Sequence, residues 1–244
     1  SLTATTKRQR SAADQQAPMG VATTRSCERL FAAMGLLESA PIVFEVVDDV
    51  PLGGVICALP ALLGFGLLRH TRSTFSLPNG FYPIETIFLV LAFLALARIR
   101  SLEALRYEAP GEWGKMLGLD RMPEVKTLRE KIGLLCGEAE RTGQWSRTLS
   151  QEWMAGAPEA AGTLYIDGHV RVYHGQLTQL PRRYVSRERL CLRGTTDYWV
   201  NAMDGQPFFV VTKAVDPGLL EVLRQDIIPR LKAEVPHQPA EAEL

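Results

Sequence analysis

The sequence predicts an α+β protein, a helical amino-terminal region followed by a strand-rich carboxy-terminal one. Three observations point there. Apolar residues recur at helical spacing up to about residue 157; after Pro158-Glu159-Ala160-Ala161-Gly162 the period drops to two; and the last apolar stretch, Pro217–Val235, returns to helical spacing. Composition agrees with a folded globular chain: of 244 residues 46% are hydrophobic and 22% charged, enough to build a sizeable core. Lys+Arg and Asp+Glu both number 27, so any nucleic-acid binding has to come from local patches rather than net charge. Four cysteines without CxxC spacing argue against a zinc site or a disulfide framework and fit a reducing, cytoplasmic compartment.

Residues 1–26 are small and polar with a short basic cluster, which predicts a disordered leader without a secretory core. A helical region is expected over 27–157. Leu30, Phe31, Met34 and Leu37 suit a short helix from Cys27, and Ile42–Val47 reads as a brief strand or an extended connection. Pro51–Leu68 is uncharged and as long as a membrane span, and a second apolar stretch occupies Ile84–Ala97. Gly53, Gly54, Pro60, Gly64 and Gly66 weaken the first as a continuous helix, and the second is short for a span. Buried core helices are therefore the preferred reading, and a small membrane protein with spans near 51–68 and 84–97 is the alternative. Near 112–135 the order is helix, turn, helix. Gly118 ends the first helix and Pro123 begins the second, with Val125, Leu128, Ile132 and Leu135 inward and Lys126, Arg129, Glu130 and Lys131 outward. Lys126, Thr127 and Arg129 are residue types that reach a major groove, which makes this a helix-turn-helix candidate; a helical hairpin with a solvated basic side fits the same pattern. Gln144–Met154 closes the helical region.

Residues 160–235 carry the strands. In Thr163–His174, Leu164, Ile166, Val170 and Val172 fall on one face and Tyr165, Asp167, His169, Arg171 and Tyr173 on the other. Asp167 and Gly168 are unfavourable in mid-strand, so something offsets them. A carboxylate on a rigid strand is a good mount for a divalent metal; a solvated face with Asp167 paired to Arg171 accounts for the same residues. Arg182, Arg183, Arg187, Arg189 and Arg193 form the densest basic run, a DNA-backbone track or a solvated linker. Leu190–Leu192 suits a short strand. Thr196–Ala202 and Pro207–Ala214 read as strands joined by a Met203-Asp204-Gly205-Gln206 turn, with Tyr198, Trp199, Phe208 and Phe209 as core. Pro217–Val235 reads as an amphipathic helix kinked at Pro229, and 236–244 as a loose tail.

A strand with a central acid, further strands including a hairpin, then a helix is the order of the first half of a ribonuclease H-like α/β fold. Tyr165-Ile166-Asp167-Gly168-His169-Val170-Arg171-Val172-Tyr173 resembles the first catalytic strand of a DDE-type transposase of a bacterial insertion sequence. Gly194-Thr195-Thr196-Asp197-Tyr198-Trp199 and Asp204-Gly205-Gln206-Pro207-Phe208-Phe209 fit the same resemblance. Upstream, Tyr107–Lys115 and Leu117–Arg129 are similar to the helices before the catalytic core in such proteins. The resemblance covers most of the chain from about Pro51. It implies an enzyme in which three carboxylates hold two Mg²⁺ ions, with Asp167 as the first catalytic and metal-holding residue. The second and third carboxylates have no counterpart here, so the expectation is a partial transposase, inactive alone, with Mg²⁺ weak or absent. The implied partners are double-stranded DNA at element ends and a second copy or a full-length transposase, with no small-molecule cofactor. Lys126, Thr127, Arg129, Arg182, Arg183, Arg187 and Arg189 are the expected DNA contacts. A non-catalytic DNA-binding module is a further alternative.

Overall fold

The computed structural model describes residues 25–44, 46–47, 50–137, 139–175, 178–185, 189–214 and 218–235. The tail at 236–244, nearly all of the leader, and Arg187 lie outside the described residues. The chain divides into two compact units at Trp145/Ser146. The division falls inside a helix and upstream of the change in sequence period, because Trp153 and Met154 pack with the strands that follow.

The first unit is helical. Helix α1 (Ser26–Ala33) is followed by an extended segment with no strand among its described residues, which resolves Ile42–Val47 as a connection. The uncharged Pro51–Leu68 stretch does not form one helix. It is a 3-10 turn (Gly53–Ala58) and then a short helix α2 (Leu59–Gly64) with Pro60 in its first turn. Pro and Gly break the stretch as their backbone preferences require. After the one-turn helix α3 (Thr71–Thr74) comes α4 (Ile84–Leu96), whose Ile87, Val90, Phe93 and Leu94 are buried against neighbouring helices. No helix among the described residues is long and apolar enough to cross a membrane, so the two-span alternative lacks its spans.

A 3-10 turn (Leu102–Tyr107) leads to α5 (Pro110–Leu117) and α6 (Val125–Gly137). Gly118 caps α5 with φ +64°, a left-handed conformation that costs glycine little, and a Cβ there would also lie 2.6 Å from Ile42 Cγ2. The connection between α5 and α6 is packed, not free: Leu119 and Met122 are buried, and Val43 N–H donates to Gly118 O at 2.9 Å. Arg29 of α1 donates to both oxygens of Asp120 (2.7 and 2.6 Å), and its guanidinium lies 4.0 Å from the Phe81 ring centre. Tyr82 Oη accepts from Arg29 at 3.1 Å and donates toward the Arg121 and Met122 carbonyls. Burial lowers the Arg29 pKa, but its hydrogen bonds to Asp120 and Tyr82 outweigh that and hold it above its ordinary value. Burial pushes the Tyr82 phenol up, with Arg29 partly opposing.

Helix α7 (Ala139–Gly156) is longer at both ends than the Gln144–Met154 expected, and a single turn, α8 (Pro158–Ala161), precedes the sheet. The second unit is a four-stranded antiparallel sheet of β1 (Leu164–Val172), β2 (Arg182–Val185), β3 (Leu190–Ala202) and β4 (Pro207–Lys213). Strand β3 is central and pairs with all three others. Two expectations are corrected here. The stretch beginning at Pro181 is not a linker, since Arg182–Val185 forms a strand; and the two short strands expected at 190–192 and 196–202 are one. The arginine-rich sequence hides both, because its cations are interspersed with Tyr184, Val185, Leu190 and Leu192 without leaving a clean apolar face. Strand β1 approaches β3 so closely that a Cβ on Gly194 would lie 2.3 Å from Arg171 O, which only glycine allows.

The 203–206 turn forms as expected, with Gly205 N–H donating to Ala202 O and Gln206 N–H to Asp204 Oδ1. The closing helix runs as α9 (Leu219–Val222), a π-helical turn (Leu223–Ile227) and α10 (Ile228–Glu234). Pro229 lacks the N–H that an unbroken α-helix would use, and the π turn lies immediately before it, where the sequence predicts the interruption. Val222 and Ile227 pack on one face of the sheet with Met154, Tyr198, Val200, Ala202 and Phe209. Altogether the mixed α/β architecture, helices preceding strands, is the one the sequence predicts.

Candidate nucleic-acid interface and metal carboxylate

Residues opposite one another in an antiparallel pair point to the same face, so the registers define two faces. On one lie Ile166, Val200 and Phe209 in a row, and Gly168, Tyr198 and Val211 in the next; this is the face that the helices cover. The mid-strand Gly168 is explained here: the Tyr198 ring lies over it, and a Cβ would come 3.4 Å from Tyr198 Cε1. On the other face lie Tyr165 opposite Asn201, Asp167 opposite Trp199, His169 opposite Asp197 and Arg171 opposite Thr195. The β2 register adds Arg182 opposite Arg193 and Tyr184 opposite Cys191 to that same face.

Asp167 is exposed at the middle of β1 and makes no ion pair among the described residues. The expected Asp167–Arg171 pair does not form. Arg171 Nε instead bonds Asp197 Oδ2 at 2.5 Å, and Thr212 Oγ1 donates to Asp197 Oδ1 at 2.7 Å. Asp197, on the central strand, is only 2% exposed and needs a cation, whereas Asp167 is solvated and does not; burial decides which carboxylate takes the arginine. Trp199, expected in the core with Tyr198, Phe208 and Phe209, is 39% exposed on the face away from the helices, between the buried Asp197 and Asn201. Reading period two across the whole of 190–202 would have found both Asp197 and Trp199.

The basic residues separate by face. Arg182 is exposed on the open face; Arg183 is half-buried on the other and donates to Thr196 Oγ1. Arg189 is exposed in the turn before β3. In the first unit, α6 buries Val125, Leu128 and Leu135 and exposes Lys126 and Arg129, with Thr127 half-buried. Arg129 is ion-paired with Glu103, and Lys126 lies 3.9 Å from Glu130. Lys131, expected in solvent, is partly buried, and desolvation lowers its pKa. Helix, turn and helix are thus present at 110–137, with Lys126 the most exposed cation among the three expected contacts.

A family model described as a transposase protein matches residues 20–244. The chain belongs to this transposase family. No curated protein and no solved structure matches it. Membership gives the transposase a role in DNA transposition and hence an interaction with DNA. Among the described residues there is no group of three His, Cys, Asp or Glu side chains that could hold a metal ion. Asp167 offers one free carboxylate and Asp197 is already taken by Arg171 and Thr212, so these residues do not make a two-metal site.

Proposed function

We propose that this transposase is of the DDE type found in bacterial insertion sequences, with residues 160–235 as the opening of a ribonuclease H-like core. The observation that carries the reading is the antiparallel order β1, β3, β4 followed by a helix, with an unpaired carboxylate, Asp167, exposed at the centre of the first strand. Asp167 is then the first of three metal-holding acids. The described donors do not complete that set, so the two further carboxylates lie outside them. Duplex DNA at element ends is the partner. Lys126, Thr127 and Arg129 in the first unit and, separately, Arg182, Arg183, Arg187 and Arg189 in the second are the sequence-tolerant phosphate contacts, each group with an affinity that falls with salt. A reducing cytoplasmic setting fits the four free cysteines, all exposed.

The test is Asp167→Asn in the transposase acting on its own element. Excision falls by more than roughly 100-fold, as expected when a metal ligand and not merely its neighbour is lost, while duplex binding is retained. Excision by Asp167→Asn at the wild-type frequency would overturn the assignment.

A further inference from the structure

The open face of the sheet has a composition that metal holding does not explain. Three aromatic side chains stand out from it: Tyr184 is 58% exposed, Tyr165 44% and Trp199 39%. Between them lie Arg182, Arg193, Arg171 and His169, all on the same face by register. Of the two acids there, Asp197 is neutralised by Arg171, which leaves two further arginines, Arg182 and Arg193, against one carboxylate without an ion pair among the described residues, Asp167. The face is cationic and aromatic together, and it is held by a central strand whose opposite side is packed core.

From this we infer that the open sheet face binds single-stranded DNA, stacking unpaired bases on Tyr165, Trp199 and Tyr184 while the arginines follow the phosphates. Aromatic faces accept any base, and a sheet surface presents them without the groove a duplex would demand. The spacing suits this ligand. Tyr165 and Trp199 are diagonal cross-strand neighbours, about 7–8 Å apart, so two successive splayed bases can each take a ring. Tyr184, opposite Cys191, lies eight β3 positions from Trp199, roughly 26 Å away at about 3.3 Å per residue, and Arg193 and Arg171 fill the interval. Trp199 and its β4 neighbour Val210 are few apolar groups beside the arginines and His169, which suits a nucleic acid better than an apolar protein partner, and an acidic partner would meet Asp167. The inference rests on the reading that the chain handles DNA, and adds that part of that DNA is unpaired.

The experiment titrates the full chain into a fluorescently labelled oligothymidylate and, separately, into a blunt duplex, at two salt concentrations. The oligothymidylate binds, more weakly at higher salt. Tyr165→Ala and Tyr184→Ala each weaken that binding about ten-fold, and the pair more, with duplex affinity unchanged. Trp199→Phe, which keeps a ring and the fold, stays within about two-fold of wild type. Absent oligothymidylate binding, tyrosine variants that bind it normally, or equal losses on both ligands would each overturn the inference. Because Asp167→Asn is read by excision and these variants by single-strand affinity, failure of one proposal is separable from failure of the other.

Discussion

Two arginine–aspartate pairs, one in each unit, use the same chemistry to different ends. Arg29 and Asp120 meet through two hydrogen bonds, with the guanidinium also stacked over Phe81 and bonded to Tyr82, so both carboxylate oxygens have a fixed partner and α1 is fastened to the α5–α6 connection. Arg171 and Asp197 meet through one contact, with the aspartate buried and the arginine side chain 63% exposed. The first pair directs both of its mutual bonds and the Tyr82 contact into the fold. The second neutralises a buried acid and still presents donors at the surface. Thus the difference marks the helical staple as structural and the sheet face as available for a ligand.

If that contrast is sound, the largest effect comes from Asp120→Asn. It leaves Arg29, half-buried among aromatics, without its counter-charge, and unfolding free energy should fall by about 3 kcal/mol in urea titration. A loss below about 1 kcal/mol would mean the pair is no more than a surface contact. Arg171→Ala should cost less, about 2 kcal/mol, since Asp197 keeps the Thr212 hydroxyl and a solvated route opens where the arginine lay. A larger loss there than at Asp120 would reverse the comparison. The smallest effect is Tyr82→Phe, about 1 kcal/mol from the lost hydrogen bonds. It has a pH signature as well. Burial raises the Tyr82 pKa in the folded state, so its contribution is fully present below the ordinary phenol pKa and is lost as pH rises through the folded value. Thermal melts of wild type should therefore fall in the alkaline range above the ordinary phenol value, and those of Tyr82→Phe should fall less steeply.

Local pattern made some of this legible. Alternation in Thr163–His174 gave β1 and both its faces, and the Gly118 and Pro123 punctuation gave the helix, turn and helix at 110–137. What it concealed depends on pairing. The partner of Arg171 is set by which acid is buried, and that is decided by β3 being central, a property of the assembled sheet. Trp199 reads as core by residue type, but its parity turns it to the face away from the helices. Arg182–Val185 reads as a linker by charge and becomes a strand because β3 offers it an edge. Likewise, the uncharged 51–68 stretch looked like a span by composition, and its glycines and Pro60 divided it.

Among the described strands, β1 pairs only with β3. Its other edge therefore presents alternating backbone donors and acceptors along Leu164–Val172, a template with a counting rule. Any strand that added there would be read by parity. Every second residue would come to the side of Asp167, and the ones between would meet the helix-covered face. A slip of one residue would exchange the two sets completely. Whether a neighbouring acid could ever stand beside Asp167 is thus a matter of odd or even before it is a matter of distance.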